Sequence, residues 1–166
     1  MVEHLTRDLG SLRHGDHLCL PYDHVDEKTD AVIPFIAEGL GRGERCVYIA
    51  DPNQREALLG ALSNAGVNAS RALDRGSLWL RTPQETYFRS GKFDPADMLA
   101  LLDELITGAQ TDGFVGVRGS GEASAAVPAA RDGGPGISQG VDRDGRPLPL
   151  VADCAVISPP FLRRRA

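Results

Sequence analysis

Short apolar segments alternate with longer amphipathic segments up to about residue 126. Four of the apolar segments are four or five residues long, and we predict them to be strands over residues 17–20, 46–50, 77–80 and 114–118. The second of these has no charged residue. Such a run is typical of a strand that is covered on both faces, as in a parallel sheet.

The segments between these strands carry apolar residues at helical spacing. We predict a first helix that begins at the N-cap Asp26 and runs to about Leu40. Pro34 lies inside this pattern, and it should kink the helix or move its start to a later residue. A second helix is predicted over residues 53–65. A third follows Asp94, because an N-cap followed by proline is a favoured helix start.

The alternation of strands and helices predicts an α/β fold with three layers, in which a mostly parallel sheet is flanked by helices. In open sheets of this kind ligands bind beyond the carboxyl ends of the strands. Those ends are predicted to carry residues 21–24, 51–53, 82–85 and 119–122. A binding site is therefore expected at this edge.

The pattern changes after Val127. Residues 128–149 are mostly Gly, Pro, Ala, Asp and Arg, and such a long connection without apolar residues predicts a flexible, irregular C-terminal segment. The last part of the chain, 150–166, is predicted to hold an edge strand over 151–157 and a basic tail that ends in three arginines. We interpret that tail as a solvated charge run.

Length, charge and hydropathy exclude several classes of protein. A chain of 166 residues suits one domain, and its net charge of −5 argues against a nucleic-acid partner. No apolar run approaches the ~20 residues that cross a bilayer, so no membrane association is expected. The N-terminus lacks the apolar segment of a signal peptide. We therefore expect a cytoplasmic location.

One segment has the layout of a degenerate phosphate-binding loop. Lys28 and Thr29 follow a predicted strand and a turn, as the lysine and threonine of a P-loop do. Residues 21–29 contain no glycine, however, and they include three acidic side chains. Because a backbone without glycine cannot readily wrap phosphate, and because acids repel it, we do not expect ATP hydrolysis.

A second cluster contains side chains that commonly bind metals. His17 and Cys19 are two residues apart on the first strand, so they share a face. His14 and His24 flank them, and Cys46 on the next strand is expected to approach. Imidazole and thiolate suit Zn, Cu or Fe, although this spacing matches no fixed metal motif. The alternative, which we favour, is that Cys19 is a core residue and that the histidines cap the strand.

Two further groups could line a ligand pocket. Tyr87 lies in a short aromatic connection and could contact a small planar or apolar ligand, or it could close the core. Arg118 ends the last predicted strand and is followed by a glycine-rich turn up to Glu122. Glu122 could accept a hydrogen bond from a ligand there. Ser120 has no assignable base, so no catalytic triad is predicted.

Several strings of the sequence resemble the MEDS domain, a methanogen/methylotroph sensory domain found in a dichloromethane-responsive regulator and in other bacterial signalling proteins. The strings span residues 15–22, 32–40, 42–49, 85–87, 91–95 and 118–122. The resemblance implies an N-terminal arm over 1–11 and a sensory domain over 12–127. It also implies a fold similar to the RecA/KaiC-type α/β core without a proper P-loop.

The resemblance further implies a cytoplasmic sensor of simple hydrocarbon derivatives, in a family often joined to transcription-regulator, histidine-kinase or anti-sigma modules. In members of this family, Gly-Glu is usually followed by Met and an aromatic residue, and then by a helix and a closing strand. Here residues 123–126 are small, so the last helix and part of any pocket wall should differ. A ligand or metal role for His17 and Cys19 is implied by the family's His-x-Cys.

We therefore predict a non-catalytic regulatory domain that binds a small molecule and signals through a protein partner, namely a kinase, anti-sigma or transcription-regulator module. No cofactor is required, and a metal ion at His17 and Cys19 is an expectation from the resemblance. A homodimer is also permitted. The alternatives are a degenerate nucleotide-binding protein with residual ATPase activity, and an interaction module that binds no ligand. The predicted ligand-binding residues are His17, Cys19, Tyr22, His24, Tyr87, Arg118 and Glu122.

Overall fold

The computed structural model describes the backbone of residues 17–21, 25–122 and 152–157, and the side chains of residue 26 and of residues 28–121. The predicted N-terminal arm, the irregular segment over 128–149 and the basic tail lie outside the described residues. So do two predicted ligand-binding residues, Tyr22 and His24. The described parts of the chain form one five-stranded sheet with helices on its faces.

Three adjacent strands of the sheet are parallel, as the sequence predicted. Its strands are β1 (His17–Pro21), β2 (Arg45–Ile49), β3 (Leu78–Arg81), β4 (Val117–Glu122) and β5 (Ala152–Ile157). They lie in the order β1-β5-β4-β2-β3, and β2 pairs in parallel with both β3 and β4. All five residues of β2 are buried, which agrees with a strand covered on both faces. The α/β class is therefore confirmed.

The position of β5 differs from the prediction. This strand is not at the edge but lies between β1 and β4, and it pairs antiparallel with both. The prolines on either side of it, Pro149 and Pro159, lie outside Ala152–Ile157 and so remove no hydrogen-bond donor from the strand. Pairing on both sides provides partners for its backbone groups. The edge assignment of this strand was wrong for that reason.

Within the described residues, four α-helices connect and cover the strands. They are α1 (Val25–Gly41), α2 (Arg55–Asn64), α3 (Ala69–Asp74) and α4 (Pro95–Thr111), and a short 3-10 turn, Pro52–Gln54, precedes α2. Helix α1 begins at Val25 and runs through Pro34, so the prediction of an N-cap at Asp26 was wrong. The prediction for α4 is confirmed, because Asp94 accepts a hydrogen bond from the backbone of Ala96 and Pro95 follows it.

The two faces of the sheet pack against different helices. Successive residues of β2 alternate between these faces. Cys46 and Tyr48 join a core cluster with α1, α2 and α3. Val47 and Ile49 join a second cluster with α4. The predicted three-layer arrangement is thus present, with the sheet in the middle.

Strand β4 starts three residues later than predicted. Residues 114 and 115 belong to the turn that follows α4, where the backbone of Phe114 donates to Ala109 O and that of Val115 donates to Gly43 O. Gly113 allows this turn through its positive φ of 84°. As a consequence Gly119 and Gly121, which were predicted to lie in a loop beyond the strand, are inside β4.

Candidate functional site

A cleft of about 240 Å³ opens beyond the carboxyl ends of β2 and β3. Its apolar floor is formed by the ends of these strands and by the first turns of α2, through Tyr48, Ala50, Leu58 and Leu80. Polar and charged side chains form its rim. The cleft therefore occupies the part of the sheet where ligands bind in α/β proteins.

The cleft exists because the chain turns away from the sheet at both strand ends. After β2, the Asp51 carboxylate accepts a hydrogen bond from the backbone of Asn53 at 2.8 Å and starts the 3-10 turn. After β3, Glu85 Oε2 accepts from the backbone and the hydroxyl of Thr82 at 2.8 and 3.0 Å. In each turn a carboxylate side chain accepts a hydrogen bond from a backbone N–H group of the same turn. The two connections therefore leave a gap between them.

The rim of the cleft carries both signs of charge. Arg55 and Arg81 contribute guanidinium groups, and Asp51 and Glu85 contribute carboxylates. Arg81 Nη1 lies 4.0 Å from Glu85 Oε1, which is a long and exposed ion pair. The backbone and side-chain hydrogen bonds from Thr82 lower the pKa of Glu85 below its ordinary value. Hydrogen-bond donors and acceptors are thus both available to a ligand.

Lys28 lies behind this cleft rather than on the surface. The side chain is in the first turns of α1, only 3% of the residue is exposed, and Nζ donates to Gln54 Oε1 at 2.6 Å. Gln54 in turn lines the cleft. This buried ammonium group thus helps to position a cleft residue.

Arg118, a predicted ligand-binding residue, is buried between β4 and α1. Its Nε donates to Glu44 Oε2 at 2.6 Å, and its Nη1 donates to Phe35 O at 3.3 Å. The guanidinium carbon also lies 4.6 Å from the centre of the Phe35 ring. Helix α1 comes close at Gly39, where a Cβ would be 2.7 Å from Arg118 Cδ. These contacts explain the arginine as a link between strand and helix, and its ligand role stays a prediction.

Tyr87, a second predicted residue, lies on the other face of the sheet. It packs against the cluster formed with α4, and its hydroxyl sits over Gly121, where a Cβ would overlap Tyr87 Oη. Gly121 is therefore needed for this close approach. The structure does not bring Tyr87 and Arg118 together, because they lie on opposite faces of β4.

The remaining predicted residues are placed by backbone register. His17 is opposite Val156 and Cys19 is opposite Cys154 in the β1–β5 pair. Glu122, the last residue of β4, is opposite Asp153 at the carboxyl edge. Their roles in ligand or metal binding stay predictions. Among the side chains that the structure describes, no group of three His, Cys, Asp or Glu residues could hold a metal ion.

The expectation that Cys46 approaches His17 and Cys19 was wrong. Strands β5 and β4 separate β1 from β2. The register row that contains Cys19 runs through Cys154 and Gly121 to Ile49, three residues from Cys46. Because an odd number of residues along a strand leads to the opposite face, Cys46 is also on the other side of the sheet.

Residues 51–53 and 82–85 were predicted at the ligand-binding edge, but no individual residue among them was predicted to bind. The polar cleft residues that were not named are Asp51, Thr82 and Glu85 within these ranges, and Gln54, Arg55 and Arg81 next to them. A signal was present, since each lies within a few residues of a predicted strand end.

Comparison with known proteins identifies one family. The family model described as the methanogen/methylotroph, DcmR sensory domain (MEDS) matches residues 16–136, which is more than half of the chain. No curated protein and no solved structure matches. Within the described ranges, no helix has the length and apolar character that a membrane span requires. The relationship to RecA-type proteins, expected from the resemblance, stays a prediction.

Proposed function

Because this chain belongs to the MEDS family of sensory domains, we propose that it is a non-catalytic sensory module that binds a small molecule in the cleft beyond β2 and β3 and signals to a protein partner. The family supports the sensory role. The cleft supports the binding role, since it is the concave site at the edge where α/β sheets bind ligands.

The size and chemistry of the cleft favour a ligand of few atoms. A volume of about 240 Å³ is smaller than the ~300–1,000 Å³ of pockets that enclose drug-sized molecules. The floor of Tyr48, Leu58 and Leu80 suits an apolar body, and the rim offers hydrogen bonds to one polar end. A short alcohol has this combination, and a small methylated or halogenated hydrocarbon would bind mainly through the apolar floor. The proposal thus agrees with the ligand class that the family resemblance implies.

A chain of contacts leads from the cleft to the far side of the sheet. Thr82 and Glu85 form the rim, and the buried hydroxyl of Thr86 donates to Thr82 O at 2.8 Å. The next residue, Tyr87, sits over Gly121 in β4. A ligand that favours one arrangement of the 82–85 turn would shift the population of the Tyr87–Gly121 contact. A partner, such as a kinase or transcription-regulator module, would recognise that change.

Ligand titration of a matched pair of variants tests the proposal. Short alcohols and methylated or halogenated hydrocarbons are titrated by calorimetry into the wild-type protein. Leu80→Phe should fill the cleft and weaken binding at least tenfold. Leu102→Phe, the same substitution at an exposed leucine of α4, should leave binding unchanged.

Three results would contradict the proposal. Failure of the whole panel to bind would favour the ligand-free interaction module. Binding that is lost in His17→Ala but kept in Leu80→Phe would move the site to β1. ATP turnover that disappears in Lys28→Met would favour the residual ATPase, and we expect no turnover because the segment before α1 lacks glycine.

A further inference from the structure

Backbone register places two of the three cysteines of this chain directly opposite each other. Cys19 in β1 and Cys154 in β5 are Cα partners in an antiparallel pair. Directly opposed residues in such a pair have Cα atoms about 4.5 or 5.5 Å apart, depending on whether they share hydrogen bonds. Both spacings lie within the ~4.4–6.8 Å that a disulfide spans. The register therefore places the two Cα atoms at a spacing that a disulfide can span.

We propose that Cys19 and Cys154 form a reversible disulfide that cross-links β1 to β5. The oxidant is a low-molecular-weight disulfide. One cysteine thiolate attacks it and displaces one thiol, and the second cysteine then attacks the mixed disulfide and displaces the other. The two cysteines lose two protons and two electrons and gain one S–S bond, while the oxidant is reduced to two thiols. A dithiol reverses the reaction.

The position of the pair in the sheet gives the cross-link a structural consequence. Within the described strands, β5 is the neighbour of β1 and also the strand that joins it to β4. Cys19 and Cys154 are far apart in sequence, so a bond between them closes a long loop. Closing a long loop restricts the unfolded chain strongly. Oxidation would therefore hold β1, which precedes helix α1, in the sheet.

The third cysteine provides an internal contrast. Cys46 is 1% exposed on β2, and its Sγ lies 3.5 Å from Ile36 O. Burial raises the pKa of its thiol to about 12, so it stays protonated and unreactive near neutral pH. It is also on the opposite face of the sheet from the register row of Cys19 and Cys154. Oxidation should therefore leave Cys46 as a thiol.

Peptide mapping of the full chain tests the proposal. Trypsin should separate the cysteines into peptides 14–28, 46–55 and 144–163. After incubation with oxidised glutathione, we expect peptides 14–28 and 144–163 to be joined, with a mass about 2 Da below the sum of their reduced masses. The thiol count in denaturant should fall from three to one. The melting temperature should rise by roughly 5–10 °C, and dithiothreitol should reverse all three changes.

Single variants provide the controls. Cys19→Ser and Cys154→Ser should each keep two thiols and show no oxidant-dependent rise in melting temperature. If either variant fails to fold, the wild-type peptide map alone decides. A stable mixed disulfide with glutathione, a link that includes peptide 46–55, or a link only between two chains would overturn the proposal. So would stoichiometric zinc that is released when Cys19 and Cys154 are alkylated.

Discussion

Each face of the sheet buries one arginine, and the two are stabilised differently. On the α1 face, Arg118 pairs with Glu44, and both side chains are 0% exposed. On the α4 face, the side chain of Arg45 is 2% exposed, but its partner Asp112 is 57% exposed. One cation is thus neutralised inside the core and the other by a carboxylate that stays in water. The comparison shows two ways in which this fold accommodates a buried charge.

The α1 face depends on a complete ion pair. Arg118 in β4 reaches Glu44, the residue before β2, and Phe35 in α1, so it connects three elements. A buried charge of either sign is costly without its partner. Both side chains are 0% exposed, so water does not solvate either charge. The stabilising effect of Glu44 therefore depends on Arg118, and that of Arg118 depends on Glu44.

The α4 face depends on aromatic packing. The Arg45 guanidinium lies 4.3 Å from the centre of the Trp79 ring and 4.5 Å from that of Phe114. Its Nε also donates to Gly76 O at 2.9 Å. Aromatic faces attract a cation and replace part of its lost hydration. The salt bridge to Asp112 is then one contribution among several, and its loss should be tolerated.

The largest predicted effect breaks the pair on the α1 face. Glu44→Gln leaves Arg118 buried without a countercharge, and we expect the free energy of unfolding to fall by about 3–5 kcal/mol in urea denaturation. Glu38→Gln is the matched control, because Glu38 pairs with Arg42 at 2.7 Å on an exposed helix surface. That control should lose less than about 1 kcal/mol.

The double variant Glu44→Gln with Arg118→Met sharpens this first prediction. It removes both charges, so it should be more stable than Glu44→Gln alone. A single variant that loses no more than the Glu38→Gln control would show that the buried charge is compensated by something other than Glu44.

The second prediction tests close packing on the α4 face. Gly121→Ala should lower the free energy of unfolding by about 1–3 kcal/mol, because a Cβ there overlaps Tyr87 Oη and lies 3.0 Å from Ile49 Cβ. Gly119→Ala, two residues earlier in β4, meets none of the described side chains within 4 Å and should be nearly neutral. Adding Tyr87→Phe should restore part of the loss. Equal losses in the free energy of unfolding for the two alanine variants would disprove the close contact between Tyr87 and Gly121.

The third prediction concerns the pH dependence of stability. Burial raises the pKa of Cys46 from 9.0 to about 12, so the unfolded chain releases this proton at lower pH than the folded one. Stability from Cys46 is present below pH 9 and is lost as the pH rises towards 12. The wild-type protein should lose up to ~1.4 kcal/mol per pH unit more than Cys46→Ala in this window. If the free energy of unfolding changed equally with pH in the two proteins, the assignment of this pH dependence to Cys46 would be contradicted.

The smallest predicted change in stability follows from removing the salt bridge of the α4 face. Asp112→Ala removes a contact of 2.5 Å to Arg45 Nη2. We expect a loss of no more than about 1 kcal/mol, because Asp112 is largely solvated and the two rings and Gly76 still hold the guanidinium. High salt should reduce the difference in the free energy of unfolding between Asp112→Ala and the wild-type protein. A loss as large as that of Glu44→Gln would remove the contrast between the two faces.

Local sequence patterns predicted most elements of the fold. Runs such as residues 46–50 indicate strands because hydrophobic periodicity follows backbone geometry. The cap at Asp94 and the proline after it fixed the start of α4 correctly, since both act on neighbouring backbone groups. The late start of β4 was missed because Phe114 and Val115 make their hydrogen bonds to residues outside the strand.

The candidate site was predictable only in location. The rule that ligands bind beyond parallel strand ends pointed to residues 21–24, 51–53, 82–85 and 119–122, and the cleft is lined by residues of the second and third of these ranges. The identity of its residues depends on how two turns diverge, and the burial of Lys28 depends on Gln54 at a position 26 residues away. No local pattern reports such a contact.

The sequence by itself determined the α/β class, the family and the edge of the sheet at which a ligand is expected, because periodicity, caps and motifs are local properties. Only the tertiary structure decided that β5 enters between β1 and β4, that Cys19 lies opposite Cys154, and that Arg118 meets Glu44. These pairings join residues far apart in the chain. They result from packing of the whole sheet, where side chains from distant segments compete to fill the same interior.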